Sequence, residues 1–438
     1  MQIDNQTFVD IDFFLSDESI CVFDFIDKTI TSEGKSKLRN IFTSPPNNFA
    51  KLKARQRVIQ RLTLQTDTLK LPLKEYQLKS IQEYLDSNIN IITGESLFEN
   101  TLFYLKDKQA FRYLKYCVYD AANLILGLNH FFELNKDIFY ELFPDTYNEL
   151  DKIVNNSYLS HSGYFKTKNA LRVTRTLKLD YIIRKSFNKS ISSLIDTYYQ
   201  IDALFAMAKS TKENNFSFPE LIEEGSKMIY AQDIYHPLIP NAIPASIKIE
   251  ENSNLLFLTG PNMSGKSTFI KAIGISVLFA HAGMGVPAKN MTLSYFDRLF
   301  TSINISDKTL NHESYFLSEV RRVKVLATAL NRGERVIALC DELFKGTNVK
   351  DAYSASTLVI TALSKWQNSA FIISTHLYEI WSKIKHIQNI TCVNFESSIE
   401  RGIPIFSYNL TEGINKTRLG LQILKNENIL ELLNSNKN

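Results

Sequence analysis

From residue 255 the chain reads Leu255-Leu-Phe-Leu-Thr-Gly260-Pro-Asn-Met-Ser-Gly265-Lys266-Ser267-Thr268, a short apolar run followed by a turn bracketed by glycines. Residues 269–279 then continue with helical apolar spacing. This order leaves the local backbone few choices. The apolar run predicts a buried strand, and Gly260 and Gly265 let the chain curl so that successive N–H groups face inward. A helix starting beside that curl adds the positive end of its dipole, which suits phosphate oxygens. Lys266 can reach terminal phosphates, and the Ser267 hydroxyl is placed to ligate Mg²⁺. The same string can arise as an ordinary glycine-rich turn. Its position between a predicted strand and a predicted helix instead predicts a nucleoside triphosphate site. Gly260, Pro261, Asn262, Met263, Ser264, Gly265, Lys266, Ser267 and Thr268 are its candidate residues.

A chain of 438 residues implies two or three domains with ample core. Phe and Tyr are plentiful while Gly and Pro are scarce, which favours a largely helical protein. No apolar run reaches the length of a membrane span, and the polar start Met1-Gln-Ile-Asp-Asn is no signal peptide. Cys21, Cys117, Cys340 and Cys392 are far apart, which argues against zinc and disulfides and for a reducing cytoplasmic setting. A net charge of +4 permits nucleic-acid binding without arguing for it.

Residues 1–225 read as mostly helix. Thr29, Thr31 and Ser32 offer caps for a helix that Ser44-Pro45-Pro46 stops. A second run over 48–64 places Leu52, Arg55, Ile59 and Leu62 at helical spacing, and 198–209 aligns Ile201, Leu204, Phe205 and Ala208. The texture changes near Phe218-Pro219 and Gly225. From 226 to 438, strand-like pieces at 255–259, 336–341 and 371–375 alternate with turns and helices, the rhythm of an α/β layer with a largely parallel sheet. Runs at 391–396 and 406–410 flank Arg401-Gly402 and predict an antiparallel pair.

Val336-Ile-Ala-Leu-Cys-Asp341-Glu342 is a buried strand delivering carboxylates at its C-terminal end. Beside a triphosphate, Asp341 can hold Mg²⁺ directly or through water, and Glu342 can act as general base on the attacking water. A strand ending in a solvated acidic turn reads the same when taken alone. Ser374-Thr-His376 places an imidazole at the next strand end, where it can stabilise transferring charge or serve structure only. Glu313-Ser314-Tyr-Phe-Leu-Ser-Glu319 is, without context, the polar start of an amphipathic helix.

Taken in order, these segments resemble the ATPase domain of the MutS family. The resemblance is carried by residues 260–268, Gly285-Val-Pro-Ala288, Asp297-Arg-Leu-Phe-Thr301, Ser314-Tyr-Phe-Leu-Ser-Glu319, Asp341-Glu-Leu-Phe-Lys-Gly-Thr347 and Ser374-Thr-His376. Tyr235-His236-Pro237 is similar to the family's His-Pro element. The segments 1–7, 27–31 and 55–58 resemble the start of its core or lever domain, and Tyr408, Gly413, Thr417 and Gly420-Leu421 resemble its tail. The resemblance implies an α/β ABC-type ATPase domain of the P-loop NTPase fold (226–438), preceded by a mostly α-helical core/lever domain (1–225). It also implies ATP and Mg²⁺ as ligands, with Asn262 matching the family's loop asparagine and His236 near the nucleotide. By the same resemblance Ser314 caps ATP held by the other subunit of a dimer, and 344–351 relays nucleotide state across the interface. Double-stranded or branched DNA is the implied partner, and the dimer pairs like chains or two MutS-like chains. Full-length relatives place two domains ahead of the core, one carrying a Phe-x-Glu wedge. A chain that begins at the core is expected to lack that wedge, on which mismatch reading would depend. Where the family places an aromatic near adenine this chain has Ala242-Ile243-Pro244, leaving Tyr235 or His236 to stack.

The densest basic stretch holds Lys166, Lys168, Arg172, Arg175, Lys178, Arg184, Lys185 and Lys189 against one acid, Asp180. Arg172, Arg175 and Lys178 fall near one helix face, a stripe able to bind phosphates without reading sequence. A solvated helix face has the same composition. The interleaved aromatics Tyr164, Phe165, Tyr181 and Phe187 are expected in the core. Two functions are therefore carried forward: a MutS-like DNA-binding ATPase, and an ATP-gated protein-interaction scaffold without DNA recognition. No long heptad repeats flank the ATPase segments, which disfavours other ABC-type DNA-maintenance ATPases.

Overall fold

The computed structural model describes residues 1–14, 20–68, 71, 73–156, 159, 171–223, 227–303, 315–400, 403–414 and 426–434. Glu313 and Ser314, Tyr164 to Lys168 of the basic stretch, Gly225, Arg401, Gly402, Thr417, Gly420 and Leu421 lie outside the described residues. Among the described residues no helix is long and apolar enough to cross a membrane.

The helices in chain order are α1 (Asn5–Asp10), α2 (Val22–Ile26), α3 (Ser32–Thr43), α4 (Phe49–Gln65), α5 (Glu75–Leu85), α6 (Leu97–Lys106) and α7 (Lys108–Leu134). There follow α8 (Lys136–Leu142), α9 (Pro144–Val154), α10 (Val173–Tyr181), α11 (Asn188–Glu213), α12 (Lys266–Ala282), α13 (Tyr315–Asn331), α14 (Val349–Leu363), α15 (Trp381–Ile384) and α16 (Ile429–Asn434). The strands are β1 (Glu220–Ile222), β2 (Lys227–Ile234), β3 (Ala245–Glu250), β4 (Leu255–Thr259) and β5 (Asn290–Ser294). The remaining five are β6 (Arg298–Ser302), β7 (Val336–Asp341), β8 (Ala370–Ser374), β9 (Ile390–Glu400) and β10 (Ile403–Glu412).

Two compact units are interleaved in sequence. One comprises Met1–Ile26, Phe42–Leu52 and Thr211–Asn438, the other Asp27–Ile41 and Lys53–Ser210.

The second unit is helical. Its α3 begins where Thr31 caps it, the hydroxyl accepting from Gly34 N at 2.9 Å. The buried Asp202 carboxylate in turn accepts from Thr31 N at 3.0 Å and from the Thr31 hydroxyl at 2.6 Å. Gly34 is required there, because a Cβ would stand 2.2 Å from Asp202 Oδ2. The helix ends at Thr43, just before Ser44-Pro45-Pro46. Ile59 and Leu62 of α4 and Ile201, Leu204 and Ala208 of α11 are buried at the expected spacing.

This unit also revises the basic stretch. Arg184 is buried and forks onto Asp180, with Nε and Nη2 at 2.7 and 2.6 Å, and donates onward to Ile89 O at 2.8 Å. Tyr84 completes the network by donating to Asp180 at 2.6 Å. Arg184 and the single acid are therefore an internal pair; a buried charge needs such a partner. Lys178 stands 3.8 Å from Glu95, and Arg172 occupies the N-cap of α10 rather than its body. Tyr181 is exposed, contrary to its expected core position.

The first unit holds two sheets. The larger has the order β10-β9-β4-β8-β7-β6, with β10 antiparallel to β9 and every other neighbour parallel. All of β4, β7 and β8 is buried, as a parallel sheet covered on both faces requires. The smaller, mixed sheet has the order β1-β5-β2-β3 and was not anticipated from the sequence. Helix α12 is apolar nearly all round and buried along its length, as a central helix must be.

The first 26 residues belong to this unit. Phe13 packs against Phe42 and Phe279 with ring centroids 5.0 and 6.4 Å away. Three acids near α1 each grip a different element. Asp4 takes the Arg322 guanidinium of α13, and buried Asp10 accepts from the Thr301 hydroxyl and Ile303 N at 2.6 and 3.0 Å. Asp12 pairs with Lys271 of α12 at 2.5 Å.

His281 on α12 is fully buried between two backbone groups. Phe296 N–H donates to Nε2 at 3.0 Å, so Nε2 carries no proton and Nδ1–H donates to Val277 O at 2.9 Å. Burial lowers its pKa to about 4. The unfolded chain takes up a proton near pH 6.5 that the folded chain refuses until about pH 4. Folding stability is therefore expected to fall as pH drops through that window, by on the order of 3 kcal/mol from this residue. Melting midpoints measured from pH 7 to pH 4.5 check this; a flat profile counts against a neutral His281.

Candidate functional site

Strand β4 ends at Thr259, and the chain turns through residues 260–265 into α12. The turn needs unusual backbone: φ is 145° at Gly260, 67° at Met263 and 95° at Gly265. A Cβ on Gly265 would stand 3.2 Å from the Tyr408 ring. Both glycines are thus placed by geometry that a side chain resists. Lys266 is buried and its Nζ donates to the carbonyls of Gly260 and Pro261, each at 2.9 Å. Burial lowers its pKa, while Asp341 and Glu342 pull it back up.

The sheet order explains how distant residues meet this loop. Strands β4, β8 and β7 are neighbours, and Ser374 is in register with both Leu258 and Asp341. Their C-terminal ends therefore deliver the loop, His376 and the Asp341-Glu342 pair to one edge, where α/β sheets place ligands. The Ser267 hydroxyl donates to Asp341 Oδ2, and the Ser374 hydroxyl donates to Oδ1. Glu342 turns out of the strand with φ 58°, a left-handed conformation costing on the order of 1–3 kcal/mol unless its surroundings hold it. Its N–H donates to Ser374 O at 3.0 Å. Its carboxylate lies 2.5 Å from His376 Nε2 and 3.7 Å from Lys345 Nζ. The hydrogen bond from His376 is the main cause holding the Glu342 pKa below the usual carboxylate range, against the opposing effect of burial.

Beside these groups lies a cavity of about 510 Å³. Asn262, Met263, Ser264, Gly265, Lys266, Ser267, Thr268, Glu342 and His376 face it. The same cavity is lined by Tyr235, His236, Ile239, Ala242, Ile243 and Tyr408, and by Phe269 and Phe395. Phe269 and Phe395 meet edge to face at 5.5 Å. His236 is buried; burial first, and Lys271 second, lower its pKa to about 4, with Asp12 opposing. Leu238 N–H donates to its Nδ1 at 3.3 Å, which favours the tautomer that keeps a proton on Nε2.

In the sequence Tyr408 stands out only through the tail resemblance. It reaches the loop because β10 shifts register against β9 between Phe406 and Leu410, and Tyr408 itself has φ 57°. A bulge of this kind re-aims a side chain and leaves little trace in periodicity. Phe395 was likewise unremarked, being one of many apolar residues in its strand.

The donor set fits a phosphate chain with Mg²⁺. A serine hydroxyl and one carboxylate are what Mg²⁺ takes from protein when phosphates and water supply the rest. Among the described residues no cluster of three or more His, Cys, Asp or Glu forms a protein-only metal cage. Inside the loop, the buried Ser264 Oγ has no hydrogen-bond partner among the described residues. Of the other predicted site residues, Ser314 lies outside the described residues, and Arg172, Arg175 and Lys178 belong to the helical unit.

Residues 256–434 match the family model described as MutS domain V. Among curated proteins the chain is similar to the DNA mismatch repair protein MutS of Listeria welshimeri, 25% identical over 262 residues, 57% of this chain and 30% of that relative. The protein of the same name from Listeria monocytogenes is 27% identical over 256 residues, 57% of this chain and 28% of the relative. That of Lactococcus lactis subsp. cremoris is 26% identical over 242 residues, 54% and 28% respectively. The chain spans less than a third of the length of the curated relatives it matches.

Proposed function

We propose that this chain, a MutS-family protein by the match of its residues 256–434, is an ABC-type ATPase of the P-loop class. One observation carries the reading. Residues 262–268 and the Glu342–His376 pair line a single cavity, and Ser267 of that lining donates to Asp341. Lys266 and the loop N–H groups would hold the phosphates, and Ser267 with Asp341 would hold Mg²⁺, which when bound screens the charge of the phosphates. Glu342 would accept the proton of the attacking water, with His376 keeping its carboxylate ionised and aimed. Tyr408 and His236, which line the same cavity as Tyr235, would offer flat faces for a base. Steady-state phosphate release from ATP with Mg²⁺, abolished by EDTA, is the expected result. Absence of both ATP binding and turnover in folded protein would sink the reading.

By the same family relation, ATP binding would favour a dimer in which Ser314 and residues 344–351 meet the partner, and the dimer would control a grip on DNA. Such control requires ATP to favour one state over the other. For the DNA arm, the Arg172/Arg175/Lys178 triple Ala variant is expected to weaken duplex binding and flatten its salt dependence. Removing three phosphate contacts should lower the slope of log K against log salt by about 2.7. A variant that binds like the parent clears these residues of the role. If the parent binds no DNA of any form yet hydrolyses ATP, the interaction scaffold becomes the better account.

A further inference from the structure

The segment that follows Glu342 is unusual. Glu342 and Phe344 both have positive φ, 58° and 60°, although neither is glycine. Two left-handed residues flanking Leu343 persist only if the chain on either side is held. Three contacts hold it. Upstream, Glu342 N–H donates to Ser374 O at 3.0 Å. In the middle, the Ser356 hydroxyl donates to Leu343 O at 3.2 Å. Downstream, Lys345 N–H and Gly346 N–H donate to the two oxygens of one buried carboxylate, Glu319, at 3.1 and 3.0 Å.

Glu319 comes from the second turn of α13, and it does not line the cavity. Its grip is reinforced by shape. A Cβ on Gly346 would stand 2.4 Å from the Tyr315 ring and 2.8 Å from Phe316 N, so the loop lies directly on the helix backbone. The Phe316 and Phe344 rings meet at 5.9 Å. The loop also carries Lys345, whose ammonium is 3.7 Å from Glu342 Oε2.

We infer that Glu319 is a positioning residue: by holding Lys345 and Gly346 it fixes the turn that aims the Glu342 carboxylate at His376. Its importance for turnover rests on the hydrolysis reading, whereas its effect on the turn does not. The role is distinct from substrate binding, because neither Glu319 nor Ser356 lines the cavity. It also makes α13 the element whose movement would redirect Glu342.

Glu319→Ala and Glu319→Gln in the full chain provide the test, read in two ways. Hydrogen exchange over residues 342–346 is expected to quicken about tenfold or more in Glu319→Ala. A crystal structure of the same variant should show the Glu342 carboxylate drawn away from His376. With ATP and Mg²⁺, kcat should fall about tenfold to a hundredfold at a KM within twofold of the parent, the size expected when a reacting group is misplaced by about 1 Å. Glu319→Gln should fall between, because its single amide oxygen can still accept one N–H. It also carries the test if the alanine variant does not fold. Parent-like exchange with Glu342 still against His376 overturns the inference, as does a loss in which KM rises as steeply as kcat falls. If the parent itself hydrolyses no ATP, the hydrolysis reading fails, and exchange and crystal structure alone decide the role of Glu319.

Discussion

Glu342→Gln is expected to bind ATP about as tightly as the parent and to turn it over ~10²–10⁴ times more slowly. The substitution is nearly isosteric, and the amide oxygen can still accept from His376, which now lies 2.5 Å from the carboxylate. What disappears is basicity. The His376 hydrogen bond keeps the Glu342 pKa low, so the carboxylate is ionised and ready to accept a proton from neutral pH well into mild acid. Turnover should therefore hold steady from pH 8 down to the mildly acid range and fall only as pH passes through that depressed pKa. Nucleotide binding by fluorescence, paired with single-turnover hydrolysis, separates the two effects. Unchanged hydrolysis in a variant that binds ATP would remove Glu342 from the chemistry.

Lys266→Ala should raise the dissociation constant for ATP about tenfold to a hundredfold, since a hydrogen bond to a charged group contributes about 1.5–3 kcal/mol. The ammonium is already drawn into the loop by the Gly260 and Pro261 carbonyls. Burial lowers its pKa, with Asp341 and Glu342 opposing, and its amino group stands where phosphate charge would arrive. Alanine removes that amino group from both carbonyls, of which Pro261 O keeps the Ser264 N–H at 3.4 Å. Titration calorimetry with ATP and Mg²⁺ measures the change. Parent-like affinity would mean that the cavity takes its ligand without using the phosphate loop.

Much of the site was legible in the chain because its chemistry is local. The strand, the glycine turn and the helix of residues 255–282 are contiguous, and each is specified by residue types at fixed offsets. Asp341, Glu342 and His376 were equally legible, since each ends a short apolar run that reads as a strand. The small sheet was not. Strand β2 pairs with β5, some sixty residues further on, and such pairing leaves no local period. Tyr408 was hidden for a related reason: a register shift aims it, and the alternation of its strand does not announce one.

The basic stretch shows the opposite error. Arg184 and Asp180, four residues apart, count in the sequence only as members of a charged stretch, yet they lie buried against Tyr84. Composition registers a charge but not the side of the helix on which it finds its partner.

By itself, then, the sequence determined some local pieces of this protein: the strands that lead to the phosphate loop, to Asp341 and to His376, and the short motif that presents N–H groups, a lysine and a serine together. Only the tertiary structure decided what those pieces face. It set Ser267 against Asp341, laid Glu319 under residues 345 and 346, and seated Asp4, Asp10 and Asp12 on α13, the end of β6 and α12. The physical reason is that periodicity reveals that a face will be buried, whereas the partner that buries it is chosen by long-range packing and hydrogen-bond satisfaction across the whole unit.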